Sequence, residues 1–119
     1  MRLKTLVVLR EEFVFGGKSM VYHVVMWNFK EGIEDAKKAE LQADMAKHLE
    51  ALVGKVPGLL TAKFIATPLL TSTHDMALVT TLEKAEDVKA YGSHPDHVAV
   101  ADTYVRPYVC DRACLDFEM

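Results

Sequence analysis

The chain has 119 residues, of which 50% are apolar and 26% are charged, and this is enough for one domain with a continuous core. Its net charge is −3, and acidic and basic residues are mixed along the chain, so a nucleic-acid partner is not expected. No apolar stretch approaches the roughly 20 residues that cross a bilayer, so a membrane partner is not expected either.

Residues 1–19 contain no helix or strand periodicity with an obvious partner segment elsewhere in the chain, and they end in a Gly-Gly-Lys-Ser sequence. We expect them to be an N-terminal extension to one domain over residues 20–119. One hypothesis is that the extension is not native and that Met20 is the natural start. Gly-Gly-Lys can be encoded by a purine-rich run that resembles a bacterial ribosome-binding site. The alternative is a genuine N-terminal strand, since residues 3–9 have strand composition.

The domain is predicted to begin with a strand over residues 21–29, which is rich in β-branched and aromatic side chains. Strand alternation places His23, Val25, Trp27 and Phe29 on one face. The next segment is predicted to be a helix over residues 34–53. It has apolar residues and one histidine at helical spacing, and Gly54 follows as a stop signal. The stripe consists of Leu41, Met45, His48, Leu49 and Leu52.

The second half of the chain predicts a hairpin, two helices and a closing strand. Pro57-Gly58 is typical of a turn, and the connection between the two hairpin strands is polar. The predicted strands cover residues 59–67, 76–82 and 113–118, and the predicted helices cover residues 85–91 and 95–109. The order β-α-β-β-α-α-β predicts an α+β, ferredoxin-like fold, with a four-stranded antiparallel sheet and helices on one face.

The second face of such a sheet needs a cover. Both alternating sets of side chains in the first strand are apolar, and the chain is too short to supply further helices. An exposed apolar patch of that size is avoided by monomers, and two-fold pairing is the commonest remedy. The sequence therefore predicts a homodimer.

A histidine pair near residue 95 is the first candidate for chemistry. Pro95 suits the first turn of a helix, which makes Ser93 or His94 the cap and places His97 in that turn. The positive end of the helix dipole disfavours a charged imidazole there, so His97 is a candidate general base. The alternative is that His94 only caps the helix and His97 only packs against the last strand.

Three segments resemble the stress-responsive A/B barrel family. The first is the strand Val21 to Lys30, with its histidine, alternating apolar residues and Phe-Lys end, and the second is the Val56-Pro57-Gly58 turn. The third is the Tyr-x-x-His-Pro-x-His-Val run of residues 91–98, with Arg106-Pro107 and Asp116-Phe117 after it. The resemblance covers essentially all of residues 20–119. It implies a ferredoxin-like subunit that pairs into a dimeric α/β barrel.

The resemblance also implies candidate roles, because the chain is similar to plant polyketide cyclases such as olivetolic acid cyclase, which close rings by an aldol reaction. By this resemblance His97 is the base, Tyr91 is the tyrosine that assists it, and Asp116 orients the base. Two positions differ from the cyclase, because Met76 replaces a pocket histidine and Leu49 replaces an aromatic residue. The residues predicted to bind substrate are His23, Val25, Trp27, Met45, Leu49 and His94. For most of these residues the alternative is an ordinary place in the core.

Metal and cofactor sites are not expected. A His-x-x-His pair, His94 and His97, and a Cys-x-x-x-Cys pair, Cys110 and Cys114, match structural zinc sites only loosely. No phosphate-binding glycine pattern is present. The two cysteines are too few for a disulfide framework and indicate free thiols in a cytoplasmic protein.

These observations support a leading hypothesis and an alternative. The first is a dimeric pocket protein that carries out cofactor-free, cyclase-like or lyase-like proton transfer on a carbonyl compound. The second is a non-catalytic, stress-induced dimer that binds an apolar ligand or a protein. Catalysis predicts an enclosed pocket that reaches Tyr91 and His97 with Asp116 behind His97, whereas pure binding predicts a pocket without that relay. A cofactor-free monooxygenase or a haem-binding protein is a further possibility by fold analogy alone.

Overall fold

The computed structural model describes residues 19–119, so the expectations about residues 1–18 lie outside the described part of the chain. Four strands form one antiparallel sheet in the order β2-β3-β1-β4. This is the predicted α+β, ferredoxin-like arrangement. The strands are β1 Val21–Phe29, β2 Leu59–Ile65, β3 Met76–Leu82 and β4 Val109–Glu118, and the α-helices are α1 Asp35–Glu50, α2 Ala85–Ser93 and α3 Pro95–Val100.

The segment between α3 and β4 differs from the prediction of one helix over residues 95–109. The helix widens into a π-helical turn at Ala101–Val105 and then tightens into a 3₁₀ turn at Arg106–Tyr108. Pro107 explains why the helix ends there, since proline has no N–H to donate and its ring clashes with the preceding turn. β4 therefore begins four residues earlier than predicted, and its pairing with β1 shifts register after Met26.

One face of β1 is buried under the helices, as its alternation predicts. Val21, His23, Val25 and Trp27 are buried, whereas the residues between them are half-buried. α1 contributes Met45 and Leu49, which are almost fully buried against this face. The remaining core comes mainly from the connection after α1, the hairpin and the segment before β4, and it includes Leu52, Val56, Leu59, Phe64, Met76, Leu78, Leu82, Val105 and Val109.

The opposite face of the sheet, here called the outer face, is mostly apolar and lies away from the core. Its apolar residues include Tyr22, Val24 and Met26 of β1, Val79 of β3, and Ala113, Leu115 and Phe117 of β4, and Thr81 of β3 and Lys63 of β2 lie on the same face. Leu115 is 63% exposed, and the rings of Tyr22 and Phe117 stack in parallel with their centroids 5.0 Å apart. Within residues 19–119, no helix is both long and apolar enough to cross a membrane.

Candidate active site

A cavity of about 560 Å³ lies between the inner face of the sheet and the helical segments. Its wall combines β1 and β4 with α2, α3 and the π-helical turn. The volume is within the range of small-molecule sites. Seven of the predicted site residues line it, namely His23, Val25, Trp27, Leu49, Tyr91, His97 and Asp116.

Tyr91 lies on α2 and is only 1% exposed. Its hydroxyl has no hydrogen-bond partner among the described residues. Burial raises the pKa of Tyr91 to about 12, so the side chain stays protonated and is a hydrogen-bond donor at neutral pH. A buried hydroxyl without a partner costs free energy, and at a cavity wall a ligand oxygen can satisfy it.

His97 occupies the third position of α3, and the start of that helix agrees with the prediction. Pro95 is in the first turn, and the His94 side chain caps the helix by accepting a hydrogen bond of 3.1 Å from the Asp96 N–H. The His97 ring lies against the Tyr91 ring, with centroids 4.4 Å apart. The turn at residues 94–95 therefore folds the two side chains together, as their proposed cooperation requires.

A backbone carbonyl fixes the His97 ring. Nδ1 lies 3.1 Å from the Gly92 carbonyl oxygen, which can only accept, so Nδ1–H is the donor and Nε2 keeps its lone pair. The pKa of His97 is lowered, chiefly by burial and further by the electrostatic influence of Arg106, His23 and Arg112, whereas the Gly92 hydrogen bond acts in the opposite direction. The neutral form is favoured, as predicted, but burial rather than the helix terminus is the main cause.

Asp116 does not stand behind His97, so the predicted relay between these two residues is wrong. β4 pairs with β1 so that Asp116 is directly opposite His23, and its carboxylate accepts a hydrogen bond from His23 Nδ1. The His97 Nδ1 is instead hydrogen-bonded to the Gly92 carbonyl. The carboxylate therefore orients the strand histidine instead of the helix histidine.

Cys114 completes a polar cluster on the strand side of the cavity. Its sulfur lies 3.6 Å from His23 Nδ1 and 3.5 Å from a carboxylate oxygen of Asp116. Burial is the largest cause of a raised pKa at the Cys114 thiol, and the Asp116 charge adds to it. The His-x-x-His and Cys-x-x-x-Cys pairs do not come together as one set of metal ligands. His94 caps α3, and the Cys110 sulfur is 3.5 Å from the Phe29 carbonyl.

Two residues predicted to bind substrate do not line the cavity. Met45 is 0% exposed and belongs to the core, because α1 directs it at the sheet. His94 caps α3 and is not part of the cavity wall. The structure therefore does not bring these two residues to the cavity, because helical spacing and a motif position do not distinguish a core or cap residue from a cavity residue.

Several polar residues of the cavity wall are not among the predicted site residues. Arg106, Asp111, Arg112 and Cys114 line it. Arg106 forms an ion pair with Asp102 across the π-helical turn. Strand alternation places Arg112, Cys114 and Asp116 on one face of β4, and this pattern could have predicted them as neighbours in the site. The predicted strand began at residue 113, however, and so omitted Arg112.

Comparison with known proteins agrees with the fold. The family model of the Stress responsive A/B Barrel Domain, Dabb, matches residues 21–119. No curated protein matches the chain. A dimeric ferredoxin-like protein of unknown function from Bacteroides fragilis is 26% identical, with a TM-score of 0.76, and the match covers 84% of this chain and 96% of that one.

Two more solved structures share the fold at lower identity. A dimeric ferredoxin-like protein of unknown function from Thermobifida fusca is 22% identical, with a TM-score of 0.66 and coverage of 85% of this chain and 92% of that one. The hydroxynitrile lyase of Passiflora edulis is 14% identical, with a TM-score of 0.62 and coverage of 84% and 93%. With the family model matching nearly all of the described residues, the chain belongs to the stress-responsive A/B barrel (Dabb) family.

Proposed function

We propose that the protein is a homodimeric small-molecule enzyme in which His97 and Tyr91 transfer a proton at the carbon next to a carbonyl group. The observation that carries this proposal is the buried Tyr91 hydroxyl, which has no partner among the described residues and whose ring lies against His97. A donor and a neutral base at the wall of one cavity are the two groups that enolate formation requires.

The proposed step uses the two side chains in different roles. His97 Nε2 takes a proton from the carbon next to the carbonyl, and the electron pair of that C–H bond moves onto the carbonyl oxygen. The Tyr91 hydroxyl donates a hydrogen bond to the oxygen as its negative charge develops. The enolate carbon then attacks a second carbonyl of the same molecule, as in a cyclase, and the new alkoxide takes the proton from His97; alternatively, the enolate takes that proton back at carbon. Gly92 supports the base by holding Nδ1–H and so fixing the ring and its tautomer.

The remaining cavity wall supports an apolar carbonyl compound as the substrate class. Val25, Trp27, Leu49 and Leu78 contribute apolar surface, whereas the polar groups are concentrated on β4 and around His97. The Passiflora edulis structure is that of a hydroxynitrile lyase, so the same fold hosts a lyase in another protein.

The homodimer is supported by the outer face and by the structural neighbours. An apolar surface that includes Leu115 at 63% exposure and Phe117 at 36% exposure needs a cover, and two of the similar structures are described as dimeric. A second copy of the same face is self-complementary and closes with two-fold symmetry. We place the dimer in the cytoplasm because Cys110 and Cys114 are free thiols.

The test is deuterium incorporation into acetophenone, an apolar ketone whose methyl protons exchange slowly in neutral D₂O, followed by NMR. Wild type is expected to accelerate exchange, and His97→Ala and Tyr91→Phe are expected to reduce it. His74→Ala is the matched control, because His74 lies outside this cavity. Acceleration that persists in His97→Ala would overturn the assignment of the base.

A non-catalytic binding protein is the second candidate, and the position of Asp116 favours it. Catalysis was expected to show the carboxylate behind His97, and the carboxylate is on His23 instead. In this case acetophenone binds and shifts the signals of cavity residues, but its exchange rate remains that of the buffer. The two functions therefore give opposite results in one NMR experiment.

A further inference from the structure

We propose that His23, Cys114 and Asp116 form a binding site for one Zn²⁺ ion per subunit at the strand side of the cavity. Strand pairing assembles the site. Asp116 is directly opposite His23, and Cys114 is two residues earlier on β4, so all three side chains share the inner face of the sheet. The three donor atoms lie within 4.8 Å of one another.

Two distances agree with tetrahedral coordination. Zinc bonds of about 2.0–2.1 Å to nitrogen or oxygen and about 2.3 Å to sulfur separate a sulfur ligand from its neighbours by about 3.5 Å at tetrahedral angles. The Cys114 sulfur is 3.6 Å from His23 Nδ1 and 3.5 Å from the Asp116 oxygen. The third pair, His23 and Asp116, is hydrogen-bonded, so zinc takes the place of the shared proton. Asp116 is on an exposed edge strand, where its carboxylate has room to draw back.

The donor types also favour zinc. Imidazole, thiolate and carboxylate are all zinc ligands, whereas a thiolate disfavours Mg²⁺ and Ca²⁺. The thiolate and the carboxylate together balance the charge of a divalent ion. Three protein ligands leave a fourth position for water or for a cavity ligand, and all three residues line the cavity. The site uses neither His97 nor Tyr91, so it goes beyond the proposed proton transfer.

Arg112 provides an internal check on the site. It lies two residues before Cys114 on β4, so the two side chains share one face of the strand, and both line the cavity. Its guanidinium therefore competes with a cation for the sulfur. Removal of this positive charge by Arg112→Gln is expected to tighten zinc binding.

The experiment is titration of the whole protein with Zn²⁺ and with Co²⁺ as a spectroscopic substitute, against a chromophoric chelator. One ion per subunit, release of protons and a thiolate-to-cobalt absorption band in the near ultraviolet are expected. Cys114→Ser is expected to abolish the band. His23→Gln and Asp116→Asn are expected to weaken binding by at least about 10- to 100-fold, the range that loss of even an outer-shell partner produces.

Cys110→Ser is the matched control, because Cys110 is on the same strand but bonds to the Phe29 carbonyl. It is expected to keep both the band and the affinity. The proposal is overturned by the absence of stoichiometric binding, by a band that persists in Cys114→Ser, or by a band that disappears equally in Cys110→Ser. Cys114 is exposed, so its serine variant is expected to fold as the wild type does.

Discussion

The two faces of the sheet are built from the same strands but differ in their chemistry. On the inner face, β1 and β4 bring together His23 and Asp116, which are polar and bonded to each other. On the outer face, the same two strands present Tyr22, Phe117 and Leu115, which offer apolar surface. Because side chains alternate, a shift of one residue in register exchanges the two faces. The register of β1 and β4 thus determines both the site and the surface for association.

The comparison predicts that changes on the inner side alter chemistry without altering association. The largest effect is expected for His97→Ala, which removes the proposed base and should reduce acetophenone exchange by about 10²- to 10⁴-fold. Dimerisation and the melting temperature should remain close to those of wild type, since His97 is only partly buried. His74→Ala is the control. An unfolded His97→Ala protein would identify His97 as a packing residue, and an unchanged exchange rate would remove the catalytic assignment.

A charge on the outer face is expected to weaken the association of the two subunits. Leu115→Glu places a carboxylate in the proposed interface, where an unpaired buried charge costs several kcal/mol, so the dissociation constant should rise at least about 100-fold. Stability should fall as well, because the interface also serves as core. Sedimentation velocity at micromolar concentration measures the change. Val53→Glu, on the connection after α1, is the control. A monomeric wild type under these conditions would refute the dimer.

Tyr91→Phe is expected to change stability and activity in opposite directions. The variant removes a buried hydroxyl that has no partner among the described residues, so the free energy of unfolding should rise by about 1–3 kcal/mol. The exchange rate should fall by roughly 10- to 100-fold, because the developing oxyanion loses its donor. Chemical denaturation measures the first effect and NMR the second. A less stable Tyr91→Phe protein would show that the hydroxyl already has a partner, such as an ordered water.

Local patterns predicted the parts of this site that depend on neighbouring residues. The alternation of β1 identified its buried face, and the Pro95 signal placed His97 in the first turn of a capped helix. The partner of Asp116 was beyond such reasoning, because it depends on the register between two strands 93 residues apart. The π-helical turn at Ala101–Val105 changes that geometry further, since it moves the start of β4. Long-range register and helix irregularities are set by packing of the whole domain.

The smallest predicted effect concerns the pH dependence that His97 gives to exchange and to stability. The pKa of His97 is lowered by burial, so its base form persists below the usual histidine range, and exchange should decline only on the acidic side of pH 6.5. The unfolded chain binds this proton at a higher pH than the folded chain. The contribution of His97 to stability is therefore present above pH 6.5 and is lost as the pH falls through the lowered folded value. His97→Gln should remove this part of the acid destabilisation, which unfolding curves at several pH values measure. If the exchange rate already declines above pH 6.5, the responsible group has a raised pKa, which would contradict the role of the half-buried His97.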